Sequence, residues 1–277
     1  MFMKTLQKTG WKVTSNMSLA YERLHDNLEK LKLNTITEIM DNYLEIAAKE
    51  ERSIVEILDH LFEEEQRAKQ ARNTEFKMKL AGFPARKTLN DFDFKFQPSI
   101  DKKVIKELST LRFLHNNENI VFLGAPGVGK SHLSIAIGIE AVNAGHTVYF
   151  ANINKIIEKL KTASRMDKLE KKLQAYAKFK LIIIDEIGYL PLDTEGAHCL
   201  FQLVSKQYEK GSMIFTSNKS YGEWGQIFQD QVIAAAVLDR VLHHCTIVNI
   251  KGESYRLKDR KKYGLASARK IGDMENV

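Results

Sequence analysis

The run Gly124-Ala125-Pro126-Gly127-Val128-Gly129-Lys130-Ser131 fits the pattern G-x-x-x-x-G-K-[ST] at every position. Glycines at 124, 127 and 129 let bare backbone amides curl around phosphate oxygens, and a helix beginning behind them points its positive end at the same anion. Lys130 then reaches the β- and γ-phosphates as a point charge, and the Ser131 hydroxyl becomes a magnesium ligand. The nucleotide site is therefore expected at Gly124, Ala125, Pro126, Gly127, Val128, Gly129, Lys130, Ser131 and His132.

A second cluster supplies what hydrolysis would need. Leu181-Ile182-Ile183-Ile184 is apolar throughout and ends at Asp185-Glu186. An acidic residue closing such a strand holds Mg2+, usually through water, which assigns Asp185 beside Ser131 as the metal-binding pair. Glu186, one residue on, is the candidate to orient and deprotonate an attacking water. Asn218, after Thr216-Ser217, falls at the end of another strand, where its amide could hold the same water.

The elements that must position these groups are readable from periodicity. Ile120–Leu123 is a short β-type run before the glycines, and His132–Ala144 is a helix-length apolar stretch after them, stopped by Gly145. Further strands are expected at 147–151, 181–184, 213–216 and 246–250, with a helix carrying Leu200, Leu203 and Val204 between the third and fourth. Five strands alternating with helices, apolar on both faces, predict a doubly wound parallel α/β sheet. Ahead of it, residues 19–80 read as a small all-α domain, in which Thr35-x-x-Glu38 and Ser53-x-x-Glu56 each have capping-box spacing. Ala81-Gly82-Phe83-Pro84 breaks the helical pattern and opens a linker over 81–98. Phe92, Phe94 and Phe96 alternate there with Asp91, Asp93 and Lys95, the pattern of a half-buried strand or of a linker lying over a nucleotide base. The nucleotide-binding domain then occupies 99–277, and residues 1–18 form an extension.

Composition narrows the class. With 44% hydrophobic and 28% charged residues and no apolar run of about 18, the chain reads as soluble with no membrane partner. No secretory signal is visible, and two distant cysteines, Cys199 and Cys245, suit a reducing cytoplasm. The formal charge of +7 favours an acidic partner such as nucleic acid, or serves solubility. Between Ala151 and Lys180 nine basic residues stand against three acidic ones, a surplus of +6 that nearly equals the charge of the whole chain.

Taken together, the motifs resemble the AAA+ ATPases and, more narrowly, the IstB-like transposition helper ATPases and the related DnaC-type helicase loaders. The likeness is carried by Ala81-Gly82-Phe83-Pro84, Phe92-Asp93-Phe94 with Gln97-Pro98, the segments 185–191 and 238–244, and Lys251-Gly252-Glu253-Ser254-Tyr255-Arg256. It implies ATP and Mg2+ as cofactors, with hydrolysis to ADP and phosphate. It implies an arginine finger at Arg240, acting with Glu186 and Asn218, and a second sensor-like cation at Arg256. By the same resemblance Lys155, Lys159, Arg165, Lys168, Lys171 and Lys172 face double-stranded DNA inside an ATP-dependent homo-oligomer that regulates a transposase, the alternative being a replicative helicase loader. Only 27 residues follow the fifth strand, too few for the helical lid of AAA+ enzymes in general. A small-molecule kinase, a different class, would need an acceptor pocket, whereas Glu186, Asn218 and Arg240 suit water as the acceptor.

Overall fold

The computed structural model describes residues 15–258; the expected extension up to residue 14 and the chain from residue 259 lie outside them. The described residues form two compact units, divided between Glu75 and Phe76.

The first unit is helical: α1 (Ser15–Lys30), α2 (Asn34–Lys49) and most of α3 (Ile54–Ala81). Leu28, Ile36, Met40, Tyr43, Ala47 and Leu61 make its core, and the four from α2, Ile36, Met40, Tyr43 and Ala47, are spaced by three and four residues as an apolar helical stripe requires. The Ser53–Glu56 capping box forms, with Glu56 accepting from the Ser53 amide at 2.8 Å and Ser53 Oγ from the Glu56 amide at 3.3 Å. The Thr35–Glu38 box does not. Helix α2 starts two residues earlier, with Leu33 in the cap position, and its free amides at Thr35 and Ile36 donate to Glu65 Oε2 of α3 at 2.7 and 3.1 Å. A buried carboxylate from a neighbouring helix thus does what the local side chain was expected to do. Burial pushes the Glu65 carboxyl up, but the amides of Ile36 and Thr35, with Arg72 at 2.9 Å, outweigh it and hold the group below the usual range.

The second unit is built on a five-stranded, all-parallel sheet: β1 (Asn119–Gly124), β2 (Val148–Asn152), β3 (Leu181–Ile187), β4 (Ser212–Ser217) and β5 (Cys245–Ile250), in the spatial order β2-β3-β4-β1-β5. Alternate strand residues enter opposite cores. Ile120, Phe122, Ile183 and Ile214 pack with α6 (Lys130–Asn143), α4 (Lys102–Ser109) and α5 (Arg112–His115), whereas Val121, Leu123, Ile182, Ile184 and Phe215 pack with the helices of the other face. Those are α7 (Ile153–Arg165), α8 (Leu169–Tyr176), α9 (Thr194–Gln207), α10 (Trp224–Phe228) and α11 (Gln231–Leu242). Covering on both faces explains why the central strands β1 and β3 read as apolar runs; edge strand β5, with Thr246, Asn249 and exposed Ile247, does not. No described helix is long and apolar enough to cross a membrane.

The segment with alternating phenylalanines is a chain of turns rather than a strand. Asp91 accepts from the Thr88 amide at 2.8 Å, and Asp93 accepts from the amides of Lys95 and Phe96, each at 3.1 Å. Aspartates that bond their own nearby backbone compete with strand pairing, and at this spacing they won.

Candidate active site

All the candidate nucleotide groups lie at the carboxyl ends of the central strands, where parallel α/β sheets bind ligands. The loop between β1 and α6 holds Gly127 at φ +83° and Gly129 at φ +107°, backbone states that admit glycine with little strain. A side chain would also be excluded by contact: a Cβ on Gly129 would fall 2.5 Å from the Phe92 ring, and one on Gly127 would lie 2.9 Å from Ser254 Cβ. The loop is gripped from two sides, by the linker and by the chain after β5.

The resulting cleft has a volume of about 260 Å3. Pro126 to His132 form its floor; Glu186, Tyr189, Thr216 and Asn218 line one part and Lys87, Asp91, Phe92, Asp93, Gln97, Tyr255 and Arg256 the rest. Lys130 Nζ donates to the carbonyls of Gly124 and Ala125 at 2.7 and 2.8 Å. Burial pushes its ammonium below the ordinary lysine range; Asp185 and Glu186 pull it back, and Arg256 adds to the depression. A bound polyphosphate would offset that desolvation cost. His132 Nε2 lies 2.8 Å from the Thr88 carbonyl, and its ring meets Phe92 edge-on at 5.1 Å, so it props the linker from the first turn of α6.

Ser131 Oγ donates to Asp185 Oδ1 at 2.8 Å, although the two are far apart in sequence. A hydroxyl and a buried carboxylate in contact at the mouth of the phosphate loop are the donor set a hard dication takes, so the residues present fit Mg2+. Thr216, wholly buried on β4, supports both acids: its hydroxyl donates to Asp185 Oδ1 at 2.5 Å and accepts from the Glu186 amide at 2.9 Å.

Glu186 sits on a bulge. The β3–β4 register moves three residues on β3, from Ile184 to Ile187, against two on β4, from Phe215 to Ser217. The extra residue turns Glu186 to φ +66° and out of the sheet, leaving it exposed between buried Asp185 and Ile187. Asn152, the last residue of β2, donates from Nδ2 to Glu186 Oε2 at 2.5 Å and accepts from the Asn154 amide, capping α7. Sequence reasoning passed over Thr216 and Asn152, since each is an ordinary strand-end residue until the sheet order is known. Their adjacency to Asp185 and Glu186 follows from β2 and β4 flanking β3.

The remaining candidates are dispersed. Arg240, on α11, does not line the cleft; its Nη1 donates to the Ala236 carbonyl at 2.9 Å and its guanidinium lies 4.9 Å from the centre of the Phe201 ring. Lys155, Lys159 and Arg165 lie on α7, Lys168 in the turn after it, and Lys171 and Lys172 on α8. All are exposed except half-buried Lys172. Lys159 bonds the Tyr149 hydroxyl at 3.0 Å, Arg165 pairs with Glu195 at 3.3 Å, and Lys172 lies 5.3 Å from the Tyr176 ring.

Comparison with known proteins bears on this arrangement. The family model described as IstB-like ATP binding protein matches residues 26–263. Over 238 residues the chain is 46% identical to a provisionally named ATP-binding protein of insertion sequence IS21 from Pseudomonas aeruginosa, covering 86% of this chain and 90% of the relative. It is 47% identical over 240 residues to the corresponding protein of IS5376 from Geobacillus stearothermophilus, covering 87% and 96%. Among solved structures, AMPPCP-bound DnaA from Aquifex aeolicus superposes with a TM-score of 0.50 at 18% identity, over 65% of this chain and 55% of that one, a likeness of fold alone. The phosphate loop, the acidic strand end and the 51432-type sheet occur here in one chain with that sequence match, and the protein belongs to the IstB-like ATP-binding family.

Proposed function

We propose that this protein is a magnesium-dependent ATPase that works as an ATP-dependent homo-oligomer on double-stranded DNA and serves the transposase of an insertion sequence. The observation that carries the reading is the paired acid at the end of β3: Asp185 is buried and bonded to Ser131, whereas the bulge presents Glu186 to the cleft. Bound there, Mg2+ would neutralise charge on the β- and γ-phosphate oxygens. Ser131 and Asp185 would hold it, Lys130 would hold the phosphates, and Glu186 with Asn218 would orient a water and take its proton. The names of the relatives favour transposition over helicase loading.

Arg240 stands outside its own subunit's cleft, which supports its action on a neighbour's nucleotide. The exposed cations of α7 and α8 support a sequence-independent grip on DNA phosphates.

Steady-state hydrolysis and nucleotide binding test the proposal together. Glu186→Gln should retain ATP affinity and lose nearly all turnover; wild-type turnover in that variant would reduce Glu186 to a structural strand end. Mixed Arg240→Ala and Lys130→Ala subunits should regain activity, since one supplies an intact phosphate loop and the other an intact arginine across one interface. A mixture that co-assembles and stays inactive would refute action in trans.

A further inference from the structure

The chain that leaves β5 recrosses the phosphate loop as a strap, residues 251–258, whose last four residues begin a helix; it is anchored at four places. The Lys251 amide donates to Ser99 Oγ at 3.0 Å, and Gln97 Nε2 donates to the Glu253 carbonyl at 2.7 Å. The Tyr255 amide donates to the Gly127 carbonyl at 2.9 Å, with Ser254 filling the space beside Gly127. Lys258 Nζ pairs with Asp93 Oδ2 at 2.8 Å, 4.8 Å from the Phe96 ring centre and 4.9 Å from that of Tyr255. Phe96 and Tyr255 themselves meet edge-on at 5.2 Å. The last pair closes a box of two rings and two charges.

Arg256 lies between the third and fourth anchors. It lines the cleft, near enough to Lys130 that its charge depresses that lysine. Arg256 stands exposed in the first turn of that helix, and a turn held at one end only would fray, so that each phosphate contact would have to collect the guanidinium from many states. Anchoring on both sides leaves Arg256 little beyond its own side-chain torsions.

We propose that Asp93 is a positioning residue for Arg256: by holding Lys258 it fixes the strap so that the guanidinium faces the phosphate end of the cleft. The proposal rests on the reading of Arg256 as the second sensor-like cation of the nucleotide site, taken here to meet the terminal phosphate. It makes the linker a reader of nucleotide state, because Asp93, itself at the edge of the cleft, acts on Arg256 through the strap.

The test compares Mg2+-dependent affinities for ADP and for a non-hydrolysable ATP analogue in the full chain, by calorimetry. Lys258→Met keeps the alkyl stem against Phe96 and Tyr255 and removes the charge. It should lower the preference for the triphosphate about fivefold, the scale of one half-exposed ion pair between aromatic rings, and leave ADP affinity as it was. Asp93→Asn should lower the same preference, and Lys258→Arg should restore it. In an Arg256→Ala background Lys258→Met should add nothing. Equal losses for both nucleotides, no loss, or an additive loss in that background would each overturn the positioning role. If Arg256→Ala alone left the preference intact, the reading of Arg256 would fall and the proposal with it; an effect of Arg256→Ala beside a silent Lys258→Met would sink only the proposal.

Discussion

Thr216→Val is the sharpest perturbation of the site, because valine matches threonine in shape and removes only the hydroxyl. That hydroxyl serves two partners in a fully buried position, donating to Asp185 and accepting from the Glu186 amide. Losing a hydrogen bond to a charged acceptor removes about 1.5–3 kcal/mol, and orphaning a buried amide costs about 1–3 kcal/mol. Part of the second cost is relieved if the bulge shifts, so about 2–4 kcal/mol is expected. For a domain of this size that lowers the melting temperature by roughly 10 °C, readable by calorimetry on the full chain. Turnover should fall more than ATP affinity, since Glu186 loses its backbone tether while the phosphate loop is untouched. Thr216→Ser, which keeps the hydroxyl, should lie close to wild type. A Thr216→Val protein that melts within about 1 °C of wild type would refute the claim that this hydroxyl braces both acids.

Asn152→Asp should keep the α7 cap and the melting temperature but set a carboxylate against Glu186, cutting turnover, whereas Asn152→Ala should cost about 1 kcal/mol of stability through the lost cap. Glu65→Ala should open the first turn of α2 at about 1–3 kcal/mol per orphaned amide, seen as faster hydrogen exchange at Thr35 and Ile36. Because the folded Glu65 carboxyl lies below its unfolded value, its stabilisation is present above the unfolded pKa and is lost as pH falls through the folded one; melting curves in acid should show that loss in wild type and not in Glu65→Ala. Free Lys130 lies below the ordinary lysine range and phosphates would raise it, so binding takes up protons at alkaline pH; ATP affinity should weaken as pH rises through the free-state value, and this slope should vanish in Lys130→Arg. Reversing charge at Lys168, Lys171 and Lys172 should weaken duplex binding equally across unrelated sequences and flatten its salt dependence; an unchanged salt slope would leave these residues a solvated helix face.

The legible part of the molecule was the part governed by local pattern. The central strands β1 and β3 announced themselves as apolar runs, and the phosphate loop and Asp185-Glu186 need only their neighbours in sequence to be recognised. What stayed hidden depends on contacts between distant residues. Glu65 caps a helix 30 positions away, displacing a local box of the right spacing. Thr216 and Asn152 acquire their roles from strand order, which spacing does not encode. The alternation of Phe92, Phe94 and Phe96 misled in a different way: the aspartates between them satisfy nearby amides, so period-2 patterning arose without a partner strand.

The bulge at Glu186 has an evolutionary price tag in this fold. A non-glycine residue at φ +66° gives up roughly 1 kcal/mol against glycine in the same backbone state. Selection for heat resistance alone would therefore favour Glu186→Gly, a hardier protein with no carboxylate facing the cleft. Directed evolution of this scaffold under thermal pressure should accept glycine here as at the other described non-glycine residues of positive φ, such as Leu111 and Gln229, but only here would the change remove a carboxylate from the cleft. Thermostability and the hydrolytic role proposed for Glu186 are opposed here by a single backbone torsion.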